Sequence, residues 1–376
     1  MTPLFEQQPV ISIHPGPGYS KQTKGRSGIA ILSGAFILLI LLILNTGCHK
    51  TDNNPPPTNY LQTNLVADVA GLGATIIDSS LVNAWGIAVA PSGPFWLTAN
   101  HTGLSTIYDK NGVTLRPAVS IPAPGGSGIG APTGIVFNST TDFTIGDQPS
   151  RFIFATEDGT IAAWGAGNAA TIMADRSTAS AIYKGLALAT DGADNFLYAT
   201  NFFEGKIDVF DKAFHYVTGK PFMDPAMPAG FAPFNIRNIS GNLYVTYAKQ
   251  KPDKHDDEAG AGNGYVDIFK PDGSLVKRFT SQGALNSPWG IVPATPGFWK
   301  VDNTILIGNF GDGHISVFDQ DGKFLGQLMN GGTPLAIYGL WALENNVPMA
   351  DPNQLFFTAG PSEETHGLFG YVVKGH

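Results

Sequence analysis

Apolar and polar positions along this chain fall into short, regular runs. Trp85–Pro91 is apolar and rich in β-prone residues, Ser92-Gly93-Pro94 breaks it, and Phe95–Ala99 resumes it. Asn100-His101-Thr102-Gly103 ends the second run. Ser105–Tyr108 forms a third, and after Asp109-Lys110-Asn111-Gly112 a fourth covers Val113–Ile121. Runs of about five to seven residues rich in Val, Ile, Phe, Tyr and Trp, bounded by Gly, Asn, Asp and Pro, read as strands joined by hairpins. Apolar and polar residues alternate in the third strand of a unit, as in Ile207-Asp208-Val209-Phe210-Asp211, Val266-Asp267-Ile268-Phe269 and Ile315-Ser316-Val317-Phe318. That alternation predicts a half-buried outer strand.

The four-strand unit recurs. Its start reads Trp85-Gly86-Ile87-Ala88, Thr133-Gly134-Ile135-Val136, Lys184-Gly185-Leu186-Ala187, Phe234-Asn235-Ile236-Arg237, Trp289-Gly290-Ile291-Val292 and Tyr338-Gly339-Leu340-Trp341, with successive anchors 48, 51, 50, 55 and 49 residues apart. A period of that size marks repeated supersecondary units. Six units of four strands predict an all-β, six-bladed β-propeller over 61–374, closed so that no long sheet edge is exposed. The last unit, Ala336–Lys374, supplies only three strands, and Leu61–Asp68 is expected to add the fourth. The anchor glycines are expected where inner strands crowd the axis. Trp85, Phe234, Trp289 and Tyr338 are expected either to pack between blades or to ring the channel mouth and stack on a ligand.

The repeats resemble NHL and YVTN-type propeller repeats, above all in Leu197-Tyr198-Ala199-Thr200-Asn201 followed by Ile207-Asp208-Val209-Phe210-Asp211. The whole of 61–374 resembles an uncharacterised bacterial propeller family, through Asn83-Ala84-Trp85-Gly86-Ile87, the insert near Lys254-His255-Asp256-Asp257 and Thr365-His366-Gly367-Leu368-Phe369-Gly370. The resemblance implies the fold and leaves activity open, because fold does not fix function.

Residues 1–47 carry a different pattern. Lys21, Lys24 and Arg26 precede the apolar run Ile29–Leu44, and Asn45-Thr46-Gly47-Cys48 follows. Basic, apolar and small residues in that order read as a secretory signal. The run is short beside the roughly 20 residues of a membrane span. Cys48, the single cysteine of the chain, is placed as in a bacterial lipoprotein lipobox. The resemblance implies cleavage before Cys48, lipid attachment there and tethering in the cell envelope. Asn45 stands where such a motif usually has Leu, and an ordinary signal peptide or an uncleaved anchor are the other readings. Residues 48–60, with Pro55-Pro56-Pro57, read as a semi-rigid spacer.

Charge excludes one class of partner. The chain carries 22 Lys and Arg against 30 Asp and Glu, a net charge of −8. Losing 1–47 would make the balance more acidic still, and no basic stripe survives, so the electrostatic footprint of a nucleic-acid binder is missing.

Candidate chemistry gathers on one face. The loop after the second strand and the loop before the first share a face in each unit, whereas the turns Asp109-Lys110-Asn111-Gly112, Pro271-Asp272-Gly273 and Asp319-Gln320-Asp321-Gly322 are short hairpins on the other. Variable loops gathered on one face of a repeat protein mark a binding face. That face offers Asn100, His101, Glu157, Asn201, Glu204, Asn309, Asp312 and His366 as candidate ligand contacts. Asn100, Asn201 and Asn309 recur at one repeat position, which reads as turn capping. The longest loop, Lys249–Gly264, offers His255, Asp256, Asp257 and Glu258. These are hard oxygen ligands suited to calcium, with a histidine suited to transition metals. The same run also reads as a solvated charged loop.

Two functions follow. One is an exported, lipid-anchored, monomeric propeller that binds a small molecule or envelope protein through its loop-rich face. The other resembles calcium-dependent lactonase propellers, with Glu157, Asn201, Asn309 and Asp312 in the metal-holding parts by position. No nucleophile elbow, phosphate-cradling loop or paired-histidine zinc motif is present.

Overall fold

The computed structural model describes residues 59–375 apart from Ser92 and Asn346; the leader 1–47, Cys48 and nearly all of the spacer lie outside the described residues. Six antiparallel sheets form the blades. Their inner strands are Ala84–Val89, Pro132–Phe137, Tyr183–Asp191, Phe231–Ile239, Pro288–Pro293 and Leu340–Glu344. In the last blade Tyr60–Ala67 pairs antiparallel with Leu368–Lys374, so the expected N-terminal strand closes the ring. A two-residue strand, Ile76–Ile77, adds in parallel outside it. No helix among the described residues is long and apolar enough to cross a membrane.

Closure at the axis rests on a recurring hydroxyl. Each inner strand bulges near its start. In blade 1 the freed Gly86 amide donates to Thr98 Oγ1 at 2.7 Å, and that hydroxyl donates onward to the Thr133 carbonyl of blade 2 at 2.6 Å. Thr200 links blade 3 to blade 4 in the same way, through the Gly185 amide and the Phe234 carbonyl. Thr358 links blade 6 to blade 1, through the Ala342 amide and the Trp85 carbonyl. Thr133 reaches the Tyr183 carbonyl at 2.8 Å, and Asn235 Nδ2 reaches the Trp289 carbonyl at 2.7 Å. The close approach requires the anchor glycine: a Cβ on Gly86 would lie 2.5 Å from the Thr133 carbonyl oxygen.

Four expectations need correction. The sixth anchor is Trp341-Ala342, not Tyr338-Gly339, because Leu340 pairs with Ala359 as Ala84 pairs with Ala99. Tyr338 is 74% exposed and sits outside the ring of aromatics. Asn100 does not share a register position with Asn201 and Asn309, since Ala99 occupies it in blade 1. The fourth strand of blade 1 shrinks to Val119–Ser120, because Pro117 has no amide to continue the ladder.

The fourth correction is that the third strands are buried on both faces rather than half-buried. Asp208 and Asp267 are fully buried. Asp208 accepts from Tyr183 Oη at 2.8 Å and Asn201 Nδ2 at 3.0 Å, and Asp267 pairs with Arg278, which also holds Asp224. Neighbouring blades cover what an isolated sheet would leave wet.

Candidate functional site

The loop-rich end of the axis is plugged by aromatics. Trp85 stacks on Trp341 with centroids 3.6 Å apart, Phe310 stacks on Trp341 at 3.9 Å, Trp289 packs edgewise against both tryptophans, and Phe234 packs tilted against Trp341. Trp85 and Trp341 are each 1% exposed. Inter-blade packing, not a stacking platform, is therefore their arrangement.

On this plug lies a lysine. Lys184 holds in blade 3 the place that Trp85 and Trp289 hold in theirs, so the repeat carries its side chain to the axis. It is 1% exposed, with Nζ 5.2 Å from the Trp85 ring centroid and 5.9 Å from that of Phe202. The ammonium pairs with Glu157 Oε1, and Asp256 Oδ1 lies 3.3 Å away. Burial pulls the ammonium pKa down, yet Glu157 and Asp256 outweigh this and the net shift is upward.

Three loops supply the surrounding carboxyls. Glu157 follows the second strand of blade 2, and its Oε2 accepts from Asn100 Nδ2 at 2.8 Å. Asp256 comes from the long insert of blade 4. Its hydrogen bond with His255 Nδ1, 2.9 Å long, and the nearby Lys184 hold it below the usual carboxylate range, and the same hydrogen bond raises His255 against burial and Lys184. Glu364 comes from the last blade and accepts from Asn83 Nδ2 at 2.7 Å. Burial pushes Glu364 up to about 7, with Lys184 opposing the rise and Glu157 and Asp256 adding to it.

The Glu364 loop is strained. Ser362, Glu363 and Glu364 all have positive φ, of 56°, 55° and 65°. Non-glycine residues visit this region singly, and each such residue stores on the order of 1 kcal/mol or more. Strain of this kind clusters at functional sites.

The insert is only partly a solvated loop. Glu258 is exposed and pairs with Lys249, whereas Asp257 is 7% exposed. Burial raises the Asp257 pKa, against the Ser287 hydroxyl beside it and the pull of Lys184 and Lys251.

The remaining candidates serve their own blades. Asn201 bonds to Glu204 at 2.6 Å and to Asp208. Asn309 bonds to the Ala284 carbonyl and to Asp312. His366 Nδ1 lies 2.9 Å from Asp68 Oδ2 and fastens the N-terminal strand, while His101 is exposed. Sequence reading missed Lys184, Asn83 and Glu364. The signal for Lys184 was a charged residue at a repeat position otherwise filled by Trp, Thr or Phe.

A separate cavity of about 260 Å³ opens on the axis beyond the plug, towards the turn face. Inner-strand residues line it, and Arg237 and Glu344 are paired there at 2.8 Å. It holds none of the carboxyl cluster.

The fold defines a six-bladed β-propeller with a buried charged cluster at one end of its axis. The chain is similar to two uncharacterised proteins of Acanthamoeba polyphaga mimivirus, each 34% identical over 333 residues, covering 84% of this chain and 80% and 85% of theirs. It belongs to their family. These relatives are viral and lend no support to membership of a bacterial family. No family model matches the chain. Among solved structures, a protein of unknown function from Bacteroides thetaiotaomicron is similar at TM-score 0.53 and 13% identity, over 84% of this chain and 76% of that one, a likeness of fold alone. A streptogramin B lyase structure matches at TM-score 0.49 and 12% identity, over 85% of this chain and 98% of its own.

Proposed function

We propose that this chain is an exported, lipid-anchored propeller that binds a ligand or protein partner at the axial cluster of its loop-rich face. The observation that carries the reading is Lys184, an ammonium fully buried at the axis and held by carboxylates from two other blades. Burying ions is expensive unless they are paired, and strongly perturbed acids in such a place mark functional sites. The strained turn that delivers Glu364 supports it further. The anchor reading fits the chain path. Tyr60 pairs with Lys374 at the turn face, so the described chain enters the propeller at the end opposite the site. Fractionation of wild type and Cys48→Ala tests the anchor: a membrane-bound Cys48→Ala protein would argue against lipidation. Shortening 251–258 tests the site, since a bound ligand or partner retained undiminished would argue against the axial face.

The metal-dependent hydrolase is a second reading, favoured by one observation. Glu157, His255 and Asp256 offer ligand atoms within 4.8 Å of one another. Lys184 weakens it, because its ammonium already occupies the space between the two carboxylates. Asn201, Asn309 and Asp312, the other parts implied by the lactonase resemblance, are engaged in their own blades. Thermal unfolding with EDTA and with calcium separates the readings, because a ligand that binds only the native state raises its stability. A calcium-dependent rise lost in Asp256→Ala/Asp257→Ala favours the metal.

A further inference from the structure

Blade 2 departs from the repeat on the turn face. Its first turn, between Phe137 and Phe152, is the longest first turn of the six blades and carries a small hairpin, Thr144–Ile145 paired with Gln148–Pro149. Between this hairpin and the turn at 165–170 of the same blade lies a cleft of about 760 Å³, within the size range of small-molecule sites. Both walls are fixed from outside the blade. Phe143 is fully buried against Phe214 of blade 3, and its amide donates to the Lys212 carbonyl at 2.9 Å. Asn195 Nδ2, also of blade 3, donates to Asp142 Oδ2 at 2.9 Å. Blade 1 holds the opposite wall. Arg116 lies over the Trp164 ring at 4.6 Å and donates to the Gly167 carbonyl at 2.9 Å, and the Ser120 amide donates to the Asn168 carbonyl at 2.9 Å. Walls braced by different neighbours make a preformed cleft, which lowers the cost of ordering on binding.

The chemistry of the cleft runs against that of the chain. The protein carries a net charge of −8, yet no carboxylate among the described residues lines the cleft. Asp142 of the same turn is bonded to blade 3, and Asp147 stands at the hairpin tip. Arg151 does line the cleft and is exposed. Of the other arginines among the described residues, Arg176, Arg237 and Arg278 pair with carboxylates, and Arg116 is engaged with Trp164 and Gly167. Arg151 has no carboxylate, aromatic or side-chain hydrogen-bond partner among the described residues. Gln148 and Thr171 line the same cleft with side chains equally unpaired, and Phe137, Ile145 and Pro149 supply apolar wall.

The class of ligand follows from these groups. A guanidinium presents a fork of donors that matches a carboxylate or a phosphate. A lone exposed ion pair is weak and screened by salt, so an inorganic ion on Arg151 would bind poorly. The apolar wall is therefore needed for affinity. A nucleic acid calls for a stripe of cations, and this cleft has one. We infer that the blade 2 cleft binds an organic anion, with its oxyanion head on Arg151 and its apolar body along Phe137 and Ile145. The site lies on the face opposite the axial cluster and does not rest on the function proposed there.

Calorimetric titration of the full-length protein tests this with four probes: octanoate, octyl phosphate, octanol and inorganic phosphate. The expected result is saturable binding of octanoate or octyl phosphate, about five- to tenfold tighter than octanol, with inorganic phosphate weaker than either anion. The tighter of the two anions tells a carboxylate head from a phosphate head. Arg151→Gln should bring the anions down to the affinity of octanol and leave octanol unchanged. Arg151 is exposed and its side chain holds nothing in the fold, so this variant keeps the native structure. Ala169→Trp, which narrows the cleft, should weaken all three octyl probes, and Lys323→Gln in blade 5 should change none. The inference is overturned if neither anion binds, if octanol binds as tightly as both, or if Arg151→Gln keeps full affinity for the anions. Shortening 251–258, which tests the axial site, should leave anion binding intact, so the two sites stand or fall separately.

Discussion

Asn83 and Glu364 share a 2.7 Å hydrogen bond across 281 positions of chain. Asn83 also accepts from Trp341 Nε1 at 3.0 Å, and its own backbone is left-handed, with φ of 51°. One amide thus holds the strained loop of the last blade and the aromatic plug against the first blade. Asn83→Ala leaves an indole N–H and a carboxyl oxygen unpaired in a buried place, and an expected loss of about 2 to 4 kcal/mol follows. Urea unfolding with an unchanged slope checks it, and a loss under about 0.5 kcal/mol, the range of ordinary surface changes, would refute it.

Stability should fall as pH rises through neutrality. Glu364 titrates at 4.5 when unperturbed and near 7 in the fold. Between these values the native state holds a proton that the unfolded chain has released, so the stabilisation is complete below the lower value and lost as pH passes the upper one. A rise of that size corresponds to on the order of 3 kcal/mol. Asp267, pushed to about 6 by burial, acts with the same sign over a lower window. Melting temperatures at pH 5 and pH 8 should differ in that direction, and Glu364→Gln should shrink the difference. A wild type equally stable at both would contradict the assignment.

Lys184→Met removes the one cation between Glu157 and Asp256. Breaking a buried ion pair from one side costs about 3 to 5 kcal/mol, because a charge is left uncompensated. Adding Glu157→Gln should restore part of the loss, with a coupling of about 1 to 3 kcal/mol in a double-mutant cycle. Strictly additive effects would show that the pair does not interact.

The hydroxyl links between blades should each carry measurable stability. Thr98→Val and Thr200→Val leave the Gly86 and Gly185 amides without acceptors, an expected loss of about 1 to 3 kcal/mol apiece. The two residues lie in different blades and share no partner, so their effects should add to within about 0.5 kcal/mol. Guanidinium unfolding of the single and double variants measures both points.

The fold was legible because a repeat states itself six times, and one ambiguous unit cannot hide the others. That ambiguous unit, Tyr338-Gly339-Leu340-Trp341, misled in register because the glycine that marks four of the other five anchors is replaced by Ala342, while an aromatic-glycine pair stands three residues earlier. The site was less legible. His255, Asp256 and Glu157 stood out as polar residues on a variable face, but nothing local shows that an insert of blade 4 reaches the axis to meet Lys184 of blade 3. Glu364 was harder still. Its placement depends on a left-handed turn that ordinary residues adopt only when the surrounding structure enforces it.

The N-terminal strand that completes the last blade also sets the order of folding. Asp68 and its partner Gly367 lie 299 residues apart, so the strand made first waits for the strand made last. Closing a loop of that length costs roughly 5 kcal/mol in chain entropy, and slow formation is the usual consequence of such distant pairing. During synthesis the first five blades can assemble as they emerge, while the sixth stays open until Leu368–Lys374 arrives. Until then its edge is a ready template for another chain, and a ribosome stalled within the last blade would release an aggregation-prone ring rather than a shorter propeller.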